Sequence, residues 1–392
     1  MTTTKNNEHK KLNVPNLRFP EFQGEWEKCK LGNIANITGG YAFKSDTLNS
    51  IGGKYQVVKM GNLYQNQLDL HRSPSYTNIL TSKAENVILR KGDIAITLTG
   101  TNNKRDFGYT YIFNDEKNLL LNQRCGLIRT KGDPYFLSCL LKTYAFLNQF
   151  FESATGGTGN QANVSTKAME MFSVNTPSLK EQKKIGELMA LLDERIATQN
   201  KIIDKLQSLI RGISSRIFAS IQGIEYRMGD IVTITNGNSN VQDAVTQSKD
   251  GLYPFFDRSD DIKYLPTFLF DKEAIIYPGE GTEFMPRYFK GKFALHQRCY
   301  AIFDFNEIIN ARFLYFYLKT RNSYFVKNAV GSTVPSLRLD TFQKLKVIIP
   351  PKKIQHSVSL CLSSIEQKCN VEKKILHKLL KQKQYLLRQM FM

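Results

Sequence analysis

The sequence predicts an α+β protein in which two pseudo-repeated mixed α/β globular domains are separated by two long antiparallel coiled-coil helices. Heptad-like apolar spacing runs from Gln182 to Phe218 and again from Gln355 to Phe391. The offset between the stretches is 355 − 182 = 173 residues at the start and 391 − 218 = 173 at the end. Short motifs that precede the first stretch also recur, in the same order, before the second.

The first stretch has apolar residues at alternating steps of three and four, the a/d spacing of a coiled coil. They are Ile185, Leu188, Leu192, Ile202, Leu206, Leu209 and Ile213. A second apolar row lies one position further round, which makes the face wider than a two-stranded seam. That wider face predicts partner docking through Met189, Ile196, Ile203, Ile210 and Ile217, and through Leu362, Leu376 and Met390 of the second stretch.

Each stretch of ~37 residues would form a helix roughly 55 Å long. A dimer seam between two copies of the chain is the alternative interpretation. Because one chain carries two matched helices, we expect them to pack on each other.

Composition indicates a folded protein with a polyanionic partner. The chain has 392 residues, 41% of them hydrophobic, and 54 Lys and Arg against 35 Asp and Glu give a net charge of +19. Such an excess favours nucleic acid first and a membrane surface second. No apolar run reaches the ~18 residues of a membrane span, and the six cysteines show no disulfide or metal spacing. We therefore expect a reduced, cytoplasmic protein.

Each part of the chain has its own local pattern. A short arm with two prolines and the single Trp26 comes first, and the chain from Leu31 alternates β-like runs with turns. Asp133 and Pro134 predict the start of an amphipathic helix that continues through Leu147. The boundaries follow: arm 1–30, first domain 31–178, helix 179–220, second domain 221–350, helix 351–392.

Several motifs of the first domain recur in the second. The pairs are Leu31-Gly32-Asn33-Ile34 with Met228-Gly229-Asp230-Ile231, Leu98-Thr99-Gly100-Thr101 with Gly279-Glu280-Gly281-Thr282, and Asn122-Gln123-Arg124-Cys125 with His296-Gln297-Arg298-Cys299. Between these motifs the domains differ. A repeat this long indicates duplicated domains that carry two different surfaces.

Catalytic motifs are weak or absent. Phe43 occupies the place where a phosphate loop needs glycine, and the five histidines have no metal-ligand spacing. Neither proline-containing loop completes the motif of an amino-methyltransferase. We therefore expect no catalytic residues, no metal site and no enzymatic activity in this chain.

The chain resembles the specificity subunit of a type I restriction-modification system. The resemblance covers its whole length and depends on the arm Pro15-Asn16-Leu17-Arg18-Phe19-Pro20, on the Gly-x-Thr loops and on Pro-x-x-x-x-Gln before each long helix, at Pro177–Gln182 and Pro350–Gln355. It implies that each domain is a target recognition domain reading one half of a split, asymmetric site in double-stranded DNA. The helices would be spacers on which two methyltransferase subunits and the motor-nuclease (restriction) subunits assemble. S-adenosylmethionine, ATP and Mg would bind those partners, and this chain would bind no cofactor.

Loop chemistry predicts the DNA-binding residues, because bidentate base contacts come from Arg with guanine and from Asn or Gln with adenine. In the first domain they are Lys44, Thr99, Thr101, Asn102, Asn103, Lys104, Arg105, Thr158, Asn160 and Gln161. In the second domain they are Asn238, Asn240, Arg258, Thr282, Arg287, Ser332, Thr333 and Arg338. Arg124 and Arg298 are expected inside strands, where a supporting role is as plausible as DNA contact. The alternative function is a coiled-coil protein-binding adaptor without DNA specificity.

Overall fold

The computed structural model describes residues 13–115, 118–156 and 161–391, and these fall into two compact units. The first unit comprises residues 1–198 with 376–392, and the second comprises residues 199–375. Helices and strands are mixed in both units, and two helices are much longer than the others. The predicted α+β class is therefore confirmed.

The first unit holds fourteen short strands among the described residues. They are β1 Glu27–Lys30, β2 Ala35–Gly39, β3 Tyr55–Val58, β4 Leu63–Tyr64, β5 Gln67–Leu68, β6 Tyr76–Thr77, β7 Ile94–Thr97, β8 Thr99–Thr101, β9 Thr110–Ile112, β10 Leu119–Leu121, β11 Cys125–Thr130, β12 Thr155–Gly156, β13 Gln161–Asn163 and β14 Ser173–Thr176. Its short helices are α1 Leu31–Ile34, α2 Ser82–Glu85, α3 Pro134–Leu140, α4 Tyr144–Glu152 and α5 Thr166–Glu170, and the long helix α6 spans Leu179–Ser220.

The strands of the first unit form five small sheets. Their orders are β1-β14, β10-β3-β6, β2-β11-β7-β9, β12-β13-β8 and β4-β5. One predicted helix is in fact two. Asp133 caps α3, as predicted, by accepting a hydrogen bond from the Phe136 backbone N–H at 2.8 Å. Thr143 then caps α4 through Phe146, so the chain turns between the two helices instead of continuing.

The second unit is built on a larger sheet. Its strands are β15 Ile224–Arg227, β16 Thr233–Asn236, β17 Tyr253–Phe256, β18 Lys263–Leu265, β19 Phe270–Pro278, β20 Arg287–Leu295, β21 Cys299–Phe303 and β22 Lys346–Ile349. Six of them form one sheet in the order β16-β21-β19-β20-β17-β18, and β15 pairs with β22. The helices are α7 Ala311–Lys319, α8 Asn322–Asn328, α9 Leu339–Gln343 and the long α10 Lys352–Gln389.

The glutamine of each Pro-x-x-x-x-Gln motif ties the start of a long helix to its unit. Gln182 Nε2 donates to the Pro177 carbonyl at 3.0 Å, and its Oε1 accepts from the Asp133 backbone N–H at 3.3 Å. Gln355 makes the equivalent bonds, to the Pro350 carbonyl at 2.8 Å and from the Asn310 N–H at 2.7 Å. Since Asp133 and Asn310 cap α3 and α7, one side chain orders two helix starts in each unit.

The long helices pack antiparallel within each unit. In the first unit Ile185 and Met189 near the start of α6 share a core with Met390 at the end of α10, and Lys383 bonds to Asp193 further along. In the second unit the opposite ends meet, since Phe218 shares a core with Leu362.

Burial corrects the predicted docking face. Met189, Ile203, Ile210, Leu362 and Met390 are all at most 9% exposed, so the packing of α6 with α10 and its unit already occupies them. Ile196, Ile217 and Leu376 are half-buried. By contrast, Ile202 and Leu209, which were expected in the seam, are 37% and 48% exposed. The seam therefore includes Ile185 and Leu192 of the expected row together with most of the row that the sequence assigned to partners.

A polar pair interrupts this apolar seam at equivalent positions of the two helices, 372 − 199 = 173 residues apart. Gln199 Nε2 donates to the carboxylate of Glu372 and, at 3.1 Å, to its backbone carbonyl. Lys368 donates to the same carboxylate at 2.6 Å. The hydrogen bonds from Lys368 and then Gln199 lower the pKa of Glu372 below its usual 4.5.

Both chain ends complete the core of the first unit. Phe391 stacks on Phe136 with ring centroids 5.3 Å apart, and it meets Trp26 edge-on at 6.4 Å. Arg18 of the arm makes a two-pronged ion pair with Glu181 at 2.7 and 2.8 Å, and Glu181 is buried. The arm is thus part of the folded unit from Asn13 onward.

Phe391→Ala is expected to destabilise the first unit by about 3–5 kcal/mol, because it removes a buried ring from between two others. Trp26 is the only tryptophan, so its emission follows unfolding of this unit alone. Tyr385→Ala is the matched control, since Tyr385 lies on the same helix and is 58% exposed. Equal unfolding midpoints for the two variants would contradict the role given to Phe391.

Glu372→Gln is expected to flatten the acid side of the stability profile. A lowered folded-state pKa means that the carboxylate stabilises the fold above pH 4.5, and that this contribution is lost as pH falls through the folded value. Urea midpoints measured across this range should fall more steeply for wild type than for the variant. Glu194→Gln, an exposed position on α6, is the control, and parallel curves for wild type and Glu372→Gln would refute the pairing.

Candidate nucleic-acid interface

The predicted loop residues of the first unit gather around the small sheet β12-β13-β8. Gln161 lies opposite Thr101, and Thr99 lies opposite Asn163, to which its hydroxyl donates at 3.1 Å. Asn102, Asn103 and Lys104 form a single 3₁₀ turn directly after β8, and all three are exposed. The structure therefore brings residues from two distant segments into one polar surface.

Two contacts hold Arg105 in place on this surface, one through its backbone and one through its guanidinium group. Its backbone is in the left-handed region with φ of 47°, and its N–H bonds to the Thr101 carbonyl at 2.9 Å. The guanidinium lies 5.0 Å from the ring centroid of Phe151, which is a cation–π distance. The side chain as a whole is exposed, so its donors remain accessible.

Of the other three predictions for the first unit, only Lys44 falls among the described residues. Lys44 is exposed and precedes the 3₁₀ turn Ser45–Thr47, outside the small sheet. Thr158 and Asn160 lie outside the described residues. Among the residues that the structure describes, no contact brings Lys44 into the cluster around Thr101.

A polar cavity of about 310 Å³ forms the corresponding surface of the second unit. Its lining includes Arg258, Glu280, His296, Gln297 and Arg298. The predicted residues Asn238 and Asn240 are exposed on the adjacent loop.

The remaining predicted residues of the second unit occupy two neighbouring loops and one strand. Thr282 follows Gly281, whose N–H bonds to the Pro335 carbonyl at 3.0 Å, and this brings the loop of Ser332 and Thr333 alongside. All three side chains are exposed, as is Arg338 before α9. Arg287 differs, because it is half-buried and donates to the Ser259 carbonyl and toward Asp260.

Two interactions set the electrostatics of the cavity. Arg298 Nη1 donates to Glu280 Oε1 at 2.6 Å, with the arginine side chain 62% exposed and the glutamate 16%. His296 Nδ1 accepts the backbone N–H of Arg298 at 3.2 Å, and burial lowers the pKa of His296 below its usual 6.5. The neutral ring therefore carries its hydrogen on Nε2, which gives the cavity one more donor at neutral pH.

The prediction that Arg124 and Arg298 lie inside strands is wrong. Each sits in the tight turn that precedes a strand, β11 or β21, and each is exposed. The strand-like run ahead of them obscured the turn. The signal that could have found it was the repeat itself, since Gln-Arg occurs at the same place in both domains.

Among the described residues there is no cluster of three or more His, Cys, Asp or Glu that could hold a metal ion. In that same part of the chain, no helix has both the length and the apolar character that crossing a bilayer requires. The concentration of Asn, Gln, Thr and Arg on exposed loops is instead the chemistry of base edges and phosphates.

Two copies of one α+β domain, each followed by a long helix, define a class of paired recognition domains. The family model described as the type I restriction modification DNA specificity domain matches residues 23–208 and 224–381. The chain belongs to that family, so the resemblance found in the sequence is confirmed.

Relatives and a solved structure agree with this assignment. The chain is 29% identical over 185 residues to the Type I restriction enzyme EcoAI specificity subunit of Escherichia coli, covering 46% of this chain and 30% of the relative. It is 22% identical over 214 residues to the putative type I restriction enzyme MjaX specificity subunit of Methanocaldococcus jannaschii, covering 54% and 49%. The matched segments thus span less than half of each relative.

The fold matches the crystal structure of a Type-I restriction-modification system S subunit from M. genitalium. The TM-score is 0.68 at 17% identity, and the match covers 97% of this chain and 99% of the other. At that identity the match supports the fold alone, and it does so over nearly the whole length of both chains.

Proposed function

We propose that this chain is the DNA-reading subunit of a type I restriction-modification complex, and that its two units read the two halves of a split, asymmetric target. The proposal is carried by one contrast. The two units share the same repeated motifs, but their equivalent loops differ in sequence. After the shared threonine, Thr101 or Thr282, the first unit has Asn102 and Arg105 where the second has Glu283 and Pro286. Unlike donors on equivalent loops would read unlike half-sequences.

Catalysis would belong to partner subunits. Methyl transfer to adenine needs S-adenosylmethionine, and cleavage driven by a motor needs ATP with Mg, and we assign all three to two methyltransferase subunits and the motor-nuclease subunits. Such a complex would work in the cytoplasm. The part of the long helices suited to docking is the outward apolar set, which includes Leu191 at 65%, Leu209 at 48% and Leu360 at 54% exposure.

Arg105→Gly is expected to weaken binding of the target duplex by about tenfold or more, because a bidentate Arg–base contact contributes roughly 1–3 kcal/mol. Glycine is chosen because it accepts the φ of 47° without strain. Binding is measured with the chain in complex with its methyltransferase subunits, on the duplex identified by mapping methylated adenines. Lys83→Ala, an exposed cation on α2, serves as the control.

The ratio of target to random duplex binding decides the role of Arg105. A loss confined to the target supports base reading, whereas equal losses on both duplexes would assign Arg105 to a phosphate. If wild-type binding to any duplex were insensitive to salt and sequence, the DNA-reading function itself would be rejected.

Matched heptad deletions test whether the helices set the gap between half-sites. Gln199 faces Glu372, so residues 200–206 and 365–371 are the segments to remove together, and the heptad register is preserved. Seven residues amount to about 10 Å of helix, or roughly three base-pair steps. Mapping of methylated adenines should show half-sites about three base pairs closer. An unchanged gap would contradict the spacer role.

A further inference from the structure

The same dipeptide occupies the same turn in both units. Gln123-Arg124 lies between β10 and β11, and Gln297-Arg298 lies between β20 and β21. The neighbouring loops have diverged, so that Thr99 of one motif corresponds to Glu280 of the other. The Gln-Arg pair is the same in both units although the residues of the neighbouring loops differ, and this requires a physical explanation.

Equivalent backbone hydrogen bonds hold the two turns. In the first unit the Asn122 N–H donates to Val58 at 3.0 Å, and the Cys125 N–H closes the turn onto Asn122 at 3.0 Å. In the second unit His296 donates to Phe256 and Cys299 donates to His296, both at 2.9 Å. Both dipeptides therefore sit on the same rigid support.

A glycine packs against each turn at the same place. The Gly40 N–H donates to Cys125 at 2.9 Å, and the Gly237 N–H donates to Cys299 at 3.2 Å. A Cβ at Gly40 would lie 2.1 Å from the Asn122 carbonyl oxygen, and one at Gly237 would lie 2.0 Å from that of Leu295. Only glycine allows this approach, so the support is built into both units.

The backbone hydrogen bonds and glycine contacts that hold each turn do not depend on the Gln and Arg side chains. All four side chains are exposed, and among the described residues Gln123, Arg124 and Gln297 make no side-chain hydrogen bond or ion pair within the fold. Arg298 alone is engaged, by Glu280 at 2.6 Å. Folding therefore does not explain why Gln-Arg is present twice.

We propose that the two Gln-Arg turns clamp the phosphate backbone of DNA, one turn on each half-site. This inference rests on the proposed function. Identical side chains on identical supports cannot distinguish two unlike half-sequences, whereas the phosphate backbone is common to every half-site. Arginine donates charge-assisted hydrogen bonds to phosphate, and the neighbouring glutamine amide adds a neutral donor. The turns set the position of each unit, and the diverged loops read bases.

The two clamps differ in strength because of Glu280. Its carboxylate competes with phosphate for Arg298, whereas the corresponding position in the first unit is the neutral Thr99. Glu280→Gln releases Arg298 and removes a negative charge beside the DNA. Arg124 thus contributes more to binding than Arg298, and the carboxylate accounts for the difference.

The test measures duplex binding over a range of salt concentrations with the chain in complex with its methyltransferase subunits. Arg124→Ala lowers affinity about tenfold, equally for target and random duplex, and reduces the slope of log K against log salt by about one. Arg298→Ala does the same with a smaller loss. Glu280→Gln raises affinity for both duplexes, and the rise is smaller when Arg298→Ala is also present, because only the release of Arg298 is then lost. Arg388→Ala, exposed on α10, is the control.

Several outcomes would overturn the clamp. They are a loss confined to the target duplex, an unchanged salt slope in the Arg124→Ala and Arg298→Ala variants, and a Glu280→Gln effect that is undiminished without Arg298. Trp26 emission verifies that the first unit of Arg124→Ala is folded, and far-UV circular dichroism verifies the fold of Arg298→Ala and Glu280→Gln, which lie in the second unit. A wild-type complex that does not bind DNA would instead reject the proposed function, so the two failures are distinguishable.

Discussion

The pairing of α6 with α10 is the constraint on which the rest of the structure depends. Both helices carry the same heptad register, because Met189, Ile196 and Ile203 of α6 correspond through the 173-residue offset to Leu362, Cys369 and Leu376 of α10. Apolar burial holds the helices together but does not by itself select a register. The bond between Gln199 and Glu372 is directional, and a polar pair in an apolar seam penalises any shifted alignment.

Each unit is anchored to this pair through the start of its own long helix. Gln182 and Gln355 reach the caps of α3 and α7, so a movement of the helix start would break bonds inside the unit. In the first unit the arm and the far end of α10 add a second anchor around Trp26, Phe136 and Phe391. Chain segments distant in sequence therefore fold as one core.

In the proposed function, the rigid turns would position each unit on the DNA, and the exposed loops would read the bases. Backbone bonds and close glycine contacts fix the turns at Arg124 and Arg298, and the exposed loops around Arg105 and Arg258 differ in sequence between the two units. In that function, rigid support with different loops would let one fold serve two different half-sequences, because loop substitutions need not disturb the cores. The net charge of +19 would then supply attraction to any duplex, and discrimination would be left to a few donors.

The sequence by itself determined the two long helices, their shared heptad spacing, the duplicated domains and the polar loops, because periodicity and repeated motifs are local properties. The tertiary structure decided which apolar residues of α6 are buried. Ile202 and Ile203 are equally apolar neighbours, and only the position of the opposing helix exposes one and buries the other. It also decided that Gln-Arg occupies a turn, because that turn exists only where β10 and β20 end against strands and glycines brought from far along the chain.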